Sequence, residues 1–414
     1  MRERKDSGNV WYGEIPYDWE LNKIKYLTTI RSESAIYNPE EDKYIGLENV
    51  NGYSNNVVET DTEYEYSMQS ICKKDDILFS KLRPYLAKVF IAKYNSFCTG
   101  EFIVFSSFNG DRRYLFYSIL NPKFIENINS STYGAKMPRA NPQYIIDQQI
   151  CLPPLDEQQR IAVFLDRECG KIDGLKADIQ AQIDTLEQYK RSVITEAVTH
   201  GLNPSAPMKD SGAGWMPLIP LHWKADKLKY HLRQRGIKNQ IDKQVLSLYR
   251  EYGIVPKDSR DDNHNVTSED VSDYRYVRVG DFVVNKMKAW QGSVAVSNYE
   301  GIVSPAYFVY EFSDDSINKR YFHYLMRNKT YAIEFRRLSG GIREGQWDLP
   351  AEALNNTLIL IPPLKEQQEI ADYLDSKCAE IEQIIADKKS QIETLDNYKK
   401  SLIFEYVTGK KEVV

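Results

Sequence analysis

The sequence predicts an α+β protein built twice on one plan, in which an α+β globule is followed by one long helix. First, residues 155–199 align with residues 364–408 at an offset of 209 without a gap. Second, the segments ahead of these stretches also align, at offsets of 204 and 205, though less completely. Third, in each half, short alternating runs typical of strands are followed by a long stretch with helical spacing. These observations predict an internal duplication and a pseudo-two-fold molecule.

The two long helices are predicted from a start signal and a sustained seven-residue repeat. Each stretch opens with Pro-Pro-Leu and then Glu-Gln-Gln, a suitable helix start. Apolar residues then recur every seven positions, which is typical of a coiled-coil seam. The predicted seam residues are Leu165, Ile172, Ile179, Leu186 and Val193 in the first helix and Leu374, Ile381, Leu395 and Leu402 in the second. Neighbouring apolar positions are filled by Ile161, Leu175, Ile183 and Tyr189. Lys388 interrupts the second seam where Ile179 stands in the first. Two such helices can bury their seams against each other.

Ahead of each long helix, a common order of segments predicts a globule of about 150 residues. A turn containing Trp comes first, and residues 75–89 later align with residues 280–294. Short strands rich in aromatic and β-branched residues follow in both halves. A helix-like tract, a glycine-containing loop and a short apolar strand then lead to the long helix. The middle of each globule diverges, so only a scaffold is shared.

The resulting division has four segments. Residues 1–152 form a first globule, residues 153–203 a central helix, residues 204–361 a second globule, and residues 362–414 a C-terminal helix. The Pro-, Ser- and Gly-rich segment from Asn203 to Gly214 is predicted to be the linker between the halves. Constant helices with divergent globules suggest that the globules select something and the helices set their separation.

Length and composition indicate a globular protein of several domains. At 414 residues the chain is too long for one core, and its 42% hydrophobic content is sufficient for folding. It shows neither eighteen consecutive apolar residues nor an apolar core near the N-terminus, so we expect no membrane span and no signal peptide. The five cysteines form no CxxC pair, which favours reduced, buried thiols in a cytoplasmic protein. A net charge of −5 still allows a local basic face.

Motifs for catalysis are largely missing from the sequence. The five histidines show no metal-ligand spacing, and neither HExxH, a P-loop, GxSxG nor a dinucleotide fingerprint occurs. Asn141-Pro142-Gln143-Tyr144 comes near the Asn-Pro-Pro-Tyr motif of amino-methyltransferases, but it lacks the second proline and is better explained as a turn. We therefore predict no catalytic residue, metal or cofactor in this chain.

Two basic runs favour nucleic-acid binding. Residues 73–93 hold six cations against two carboxylates, and residues 319–343 hold seven against one. Both runs are interleaved with aromatic residues. Phosphate neutralisation needs such clusters, whereas a solvated charged face would explain either run alone. Their recurrence in both halves favours a DNA-binding role.

The repeated sequence PPLxEQQxIAxxLD, each time after a divergent α+β globule and within a long helix, resembles the specificity subunit of type I restriction–modification enzymes. The resemblance covers essentially the whole chain. It implies that the globules are target recognition domains, each reading one half of a bipartite sequence in double-stranded DNA. It also implies that the helices pack as an antiparallel coiled coil that spaces the domains and docks two methyltransferase subunits, with restriction subunits joining through that core. S-adenosylmethionine would be bound by the methyltransferase subunits, and ATP and Mg²⁺ would be used by the restriction subunits.

For DNA contact the sequence offers residues at matching places in the two halves. The candidates are Lys81, Arg83, Tyr85, Lys136 and Arg139 in the first half and Lys286, Lys288, Trp290, Arg343, Gln346 and Trp347 in the second. Long cationic side chains can contact phosphate or guanine edges, and aromatic rings can pack on sugars or bases. Matched cations are better suited to positioning on phosphates than to reading sequence. A role in core packing is the alternative for the three aromatic residues.

Two other functions stay open at this point. One is a duplicated coiled-coil scaffold that recruits protein partners without DNA. The other is a nuclease or methyltransferase with a divergent site. Methylation of random DNA by the chain, with and without a methyltransferase subunit, distinguishes the three.

Overall fold

The computed structural model describes residues 2–60, 62, 64–250, 252–259, 270–341 and 347–413. The chain folds into two compact units, Met1–Gln180 with Lys388–Val414, and Ala181–Asp387. Each unit therefore combines one globule with part of both long helices. The sequence-based division instead places each long helix in a segment of its own.

The first unit is a mixed α+β globule with one end of each long helix. Its strands are β1 (Arg4–Asp6), β2 (Glu14–Pro16), β3 (Glu20–Lys23), β4 (Thr28–Ile30), β5 (Ser34–Tyr37), β6 (Tyr44–Ile45), β7 (Ser67–Cys72), β8 (Ile77–Ser80), β9 (Val89–Ile91), β10 (Ser96–Cys98), β11 (Phe102–Phe108) and β12 (Gln149–Leu152). The helices that begin in it are α1 (Ile24–Leu27), α2 (Arg112–Leu120), α3 (Pro122–Ser130), α4 (Pro142–Asp147) and the long α5 (Leu155–His200).

The second unit repeats this order. Its strands are β13 (Met208–Asp210), β14 (Leu218–Pro220), β15 (Lys224–Lys227), β16 (Leu232–Arg235), β17 (Leu246–Tyr249), β18 (Gly253–Pro256), β19 (Arg275–Val277), β20 (Phe282–Asn285), β21 (Val294–Val296), β22 (Gly301–Val303), β23 (Tyr307–Phe312) and β24 (Leu358–Ile361). The helices that begin in it are α6 (Lys319–Arg327), α7 (Lys329–Leu338), α8 (Ala351–Asn356) and the long α9 (Leu364–Val407).

Both units contain the same antiparallel four-stranded sheet. Its order is β4-β11-β8-β9 in the first unit and β16-β23-β20-β21 in the second. The central strands β8 and β20 are buried along their whole length, because they are apolar runs covered on both faces. The pairs β1-β2 and β3-β12 are also matched, by β13-β14 and β15-β24, respectively, whereas the strands in the middle of each globule differ. The first unit has a second sheet in the order β5-β7-β10-β6, whereas the second has the pairs β17-β18 and β19-β22. The shared scaffold and the divergent part thus form separate sheets.

The predicted linker is wrong over most of its length. Residues Met208–Asp210 form a strand that pairs with Leu218–Pro220, as Arg4–Asp6 pairs with Glu14–Pro16 in the first unit. In both turns that follow, a glycine with positive φ donates its N–H to the preceding Asp: Gly8 at 3.0 Å and Gly212 at 2.8 Å. Small polar residues and glycine serve a tight turn here rather than a flexible connection. The sequence Lys-Asp-Ser-Gly, at residues 5–8 and 209–212, carried this signal at the established offset of 204.

Within the first unit, the long helices pack antiparallel. Asp173 of α5 pairs with Lys399 of α9 at 2.7 Å, and Lys176 of α5 forms an ion pair with Asp396, which lies earlier in α9. Partner numbers thus fall along α9 as they rise along α5. The helices span 46 and 44 residues, or roughly 69 Å and 66 Å at a rise of 1.5 Å per residue.

The predicted seam residues are buried or half-buried throughout. Leu165, Ile172, Leu374, Ile381 and Leu402 are buried, and Ile179, Leu186, Val193 and Leu395 are half-buried. Lys388 is also half-buried. Two neighbouring positions differ from the others, because Leu175 is 52% exposed and Tyr189 49% exposed. Ile161 and Ile183 are buried, so the four apolar positions beside the seam are not equivalent, and heptad position alone does not decide which of them is covered.

The five cysteines are buried and carry free thiols. No helix among the described residues is long and apolar enough to cross a membrane.

Candidate nucleic-acid interface

The candidate residues of the first unit lie on two segments that the fold brings together. We call Lys81, Arg83, Tyr85, Lys136 and Arg139 the first face. The backbone N–H of Ala140 donates to the carbonyl of Lys81 at 2.9 Å, and that of Arg83 donates to the carbonyl of Pro138 at 2.7 Å. The glycine-containing loop is thereby held against the chain that leaves β8. The sequence predicted both segments but not their contact.

Arg83 has an unusual backbone conformation. Its φ of 49° is left-handed, and Ala87, at the other end of the short 3-10 helix Pro84–Leu86, has a φ of 48°. Residues other than glycine rarely adopt this conformation, and such strain is concentrated at functional sites. Tyr53, whose N–H donates to the carbonyl of Ala87 at 3.1 Å, also has a positive φ. The turn is therefore held from both sides, and it presents Tyr85 with 49% of its surface exposed. The core-packing alternative for Tyr85 does not hold.

The cations of the first face differ in how they are paired. The Lys81 ammonium donates to the carbonyl of Gly100 at 2.5 Å, and burial lowers the pKa of this group. Arg139 forms an ion pair with Glu101. Arg83 and Lys136 form no ion pair with any residue that the structure describes. These last two side chains are the ones available to phosphate oxygens without breaking an existing contact.

The second unit carries the equivalent arrangement. We call Lys286, Lys288, Trp290 and Trp347 the second face; Arg343 and Gln346, also predicted here, lie outside the described residues. The N–H of Leu349 donates to the carbonyl of Lys286 at 2.9 Å, which is the counterpart of the bond between Ala140 and Lys81. Lys288 is exposed and takes part in no ion pair within the described part of the chain.

The loop residue of the ion pair has opposite charge in the two faces. Arg139 and Asp348 occupy equivalent places, since each directly precedes the residue that bonds to the strand carbonyl. In the first unit the loop supplies the cation, and Glu101, the residue before β11, supplies the anion. In the second unit the loop supplies the anion, and Asp348 lies 2.9 Å from Lys286. A common backbone thus presents different charges at the same position.

The second face also contains an aromatic cluster with a cation over both rings. The rings of Trp290 and Trp347 lie 5.6 Å apart at an angle of 61°. The guanidinium carbon of Arg336, on α7, lies 5.8 Å from each ring centre. The indole N–H of Trp290 donates to the carbonyl of Met287 at 3.0 Å, which fixes the ring. Both tryptophans are half-buried. The sequence placed Arg336 within a basic run but gave no reason to single it out.

In the described part of the chain, no group of three or more His, Cys, Asp or Glu side chains could hold a metal ion. The candidate interface consists of surface loops on rigid sheet scaffolds, and their chemistry is that of cations, amide groups and aromatic rings. Two related surfaces of this chemistry are suited to nucleic-acid binding.

Comparison with known proteins agrees with this conclusion. The family described as type I restriction modification DNA specificity domain matches residues 16–185 and 237–394, one stretch in each half. The chain belongs to this family. It is 25% identical to the type I restriction enzyme MjaVIII specificity subunit of Methanocaldococcus jannaschii, over 96% of this chain and 94% of the relative. It is 21% identical to the EcoKI specificity subunit of Escherichia coli K12, over 96% of this chain and 90% of the relative.

A solved structure concerned with complex assembly and conformational transition of the type I restriction–modification system shares the fold. It superposes with a TM-score of 0.67 at 15% identity, covering 96% of this chain and 99% of that chain. The predicted fold class is thereby confirmed. The family match and the full-length relatives confirm the prediction that the protein recognises a DNA target as a specificity subunit. A scaffold without DNA binding is not favoured.

Proposed function

We propose that the first and second faces each read one half of a two-part sequence in double-stranded DNA. The observation that carries this proposal is the shared backbone bond, from Ala140 to Lys81 in one unit and from Leu349 to Lys286 in the other. It gives both units the same scaffold for a loop and a turn, while the side chains on that scaffold differ. Equivalent placement suits a common contact with the DNA backbone, and divergent side chains suit two different base sequences.

Arg83, Lys136 and Lys288 are proposed to contact phosphates. Substitution of each by alanine should weaken binding of the assembled complex to any duplex, and should reduce the slope of log K against log salt by about 1 per contact. Lys171 is a suitable control, because it is an exposed cation on α5 that pairs with Glu168. Alanine at Lys81, Lys286, Arg139 or Tyr85 is expected to weaken binding as well. If alanine at both Lys286 and Lys288 leaves affinity and salt slope unchanged, the assignment of the second face is wrong.

The long helices are proposed to space the two half-sites and to dock two methyltransferase subunits. Exposed apolar side chains recur at equivalent positions of the two helices, which supports two copies of one partner. Leu175 and Ile384 are 52% and 38% exposed, and Tyr189 and Tyr398 are 49% and 56% exposed. Side chains that are apolar, exposed and matched are candidates for an interface core. Helices of roughly 66–69 Å exceed the roughly 34 Å of one DNA turn, so their length allows both roles.

Docking can be tested by the mass of the assembled complex. Tyr398→Ala or Tyr189→Ala should each weaken the binding of one methyltransferase subunit, and the double variant should weaken both. Val163 provides the control, since it is 55% exposed on α5 but its counterpart Asp372 is not apolar. Complexes of unchanged mass and stability in the double variant would remove this surface from consideration.

The chain itself is proposed to be non-catalytic and to act in the cytoplasm. The methyltransferase subunits would bind S-adenosylmethionine, and the restriction subunits would use ATP and Mg²⁺. One experiment tests the whole proposal, namely methylation of random-sequence DNA by this chain with and without a methyltransferase subunit. Marks at a gapped two-part motif, formed only with both proteins, support it. Methylation by this chain alone would instead show a catalytic site. No methylation and no DNA binding would favour the protein scaffold.

A further inference from the structure

The second unit contains a side-chain cluster that has no counterpart in the first. Trp290, Trp347 and Arg336 come from three separate segments and meet at one surface. Their positions in the first unit can be assigned from the scaffold. Tyr85 corresponds to Trp290 at the offset of 205, and Pro138 corresponds to Trp347, because Ala140 and Leu349 make the same backbone bond.

The counterpart of Arg336 follows from the helix caps. The side chains of Asn121 and Asn328 accept hydrogen bonds from the first turns of α3 and α7, respectively. Counting from these caps, Asn129 stands where Arg336 stands in the second unit. The first unit therefore has one aromatic ring and no cation at the three positions.

The physical consequence for Arg336 is restricted motion. The guanidinium carbon lies 5.8 Å from two indole ring centres, so this exposed side chain gains cation–π attraction from both rings, and that attraction favours a subset of its conformations. Phosphate contact needs only a mobile charge, whereas a planar, oriented guanidinium suits the paired acceptors O6 and N7 on the edge of guanine. A held guanidinium is thus better matched to reading a base than to general attraction.

We propose that Arg336, oriented by Trp290 and Trp347, reads a guanine in the half-site bound by the second unit. This inference rests on the proposed function, because it assigns a base-reading residue within the second face. Arg336 is the specificity-determining residue, and the two tryptophans are positioning residues that act through it. The half-site bound by the first unit is read by other side chains.

The neighbouring residue provides a matched control. Arg337 lies next to Arg336 on α7, has 66% of its side chain exposed, and pairs with Glu334 at 2.7 Å. Arg337→Gln removes the same charge from the same helix, keeps a hydrogen-bond donor for the buried carboxylate of Glu334, and does not alter the aromatic cluster. Arg336→Lys keeps the charge but cannot form the planar paired contact, so it separates base reading from general electrostatics.

The test uses the complex of this chain with its methyltransferase subunits and a random-sequence duplex library, and methylated positions are sequenced. Arg336→Ala and Arg336→Lys should each reduce discrimination for guanine at one position of one half-site by at least tenfold, and leave the other half-site unchanged. Trp347→Ala should relax the same position, and Trp347→Phe should retain most of the discrimination. Arg337→Gln should leave the motif unchanged.

An unchanged motif in both Arg336 variants would overturn the proposal. Loss of discrimination in Arg336→Ala but not in Arg336→Lys would also overturn it, because a positive charge would then be sufficient for discrimination without a planar guanidinium. Failure of the proposed function would look different, since the unsubstituted complex would give no two-part motif at all.

Discussion

Lys399 on α9 donates hydrogen bonds of 2.7 Å to both carboxylate oxygens of Asp173 on α5. Only 4% of the lysine side chain is exposed, whereas 33% of the aspartate side chain is exposed. In the second unit the equivalent pair is Lys190 with Glu382, whose side chains are 27% and 62% exposed. The same pairing therefore occurs once buried and once near solvent, which makes the two ion pairs a matched test of burial.

We expect Asp173→Ala to lower the free energy of unfolding of the first unit by about 3 kcal/mol, because it leaves a buried ammonium without a counter-charge. Glu382→Ala should cost less than about 1 kcal/mol, because Lys190 can be solvated. Denaturant unfolding of both variants measures the difference. Equal losses of unfolding free energy in the two variants would show that burial does not change what the ion pair contributes to stability.

Trp19 and Trp223 connect each globule to the start of its long helix. Both indole rings are buried, and each indole N–H donates at 3.0 Å to a glutamate, Glu157 or Glu366, respectively. Replacing either glutamate by alanine leaves a buried donor unpaired and should lower the free energy of unfolding by about 1–3 kcal/mol.

Glutamine at either position keeps an acceptor for the indole and serves as the control. It should retain most of the stability in the second unit. In the first unit Glu157 also pairs with the guanidinium of Arg2 at 2.5 Å, whereas Glu366 contacts the exposed imidazole of His222 at 2.7 Å, so Glu157→Gln should lose somewhat more than Glu366→Gln. The opposite order in denaturant unfolding would contradict this assignment.

His323 should make the second unit sensitive to acid. Burial lowers the pKa of its imidazole to about 4, with Arg327 acting in the same direction, while Asp375 acts in the opposite one. The unfolded chain, with a pKa near 6.5, binds the proton more readily than the folded protein. Stability is therefore complete above about pH 6.5 and falls by about 3 kcal/mol as the pH drops to 4.

The variant His323→Gln isolates this contribution, because an amide oxygen can still accept from the N–H of Val296, which lies 3.3 Å from Nδ1. The difference in unfolding free energy between wild type and variant should shrink between pH 6.5 and pH 4. A difference that is independent of pH would mean that His323 titrates normally in the folded state.

Arg83→Gly should separate stability from DNA binding. Glycine adopts the φ of 49° without strain, so we expect the variant to be more stable by about 1 kcal/mol. The same change removes a proposed phosphate contact and should lower DNA affinity and the salt slope. Arg83→Ala keeps the strain and loses the contact, so it should bind equally weakly without gaining stability. A stability gain in both variants would show that the backbone is not strained.

The long helices and the shared sheet could be predicted because their signals are local. A seven-residue repeat such as Leu165 to Ile172 needs no knowledge of the partner, and buried strands such as Ile77–Ser80 are apparent from their apolar runs. The linker prediction failed because Pro, Ser and Gly also form tight turns. Only the repeat of Lys-Asp-Ser-Gly in both halves indicates that these residues form a tight turn here rather than a linker.

By itself, the sequence determined the duplication, the long helices, the absence of recognisable catalytic motifs and the segments that carry the basic faces. Only the tertiary structure decided which side chains meet. It placed Pro138 against Arg83, and it brought Arg336 of α7 over two tryptophans from other segments. Helical periodicity depends on residues close together in the chain, whereas a binding surface combines residues that are far apart in the chain. Their contact depends on how the sheet and loops pack, and no short sequence pattern encodes it.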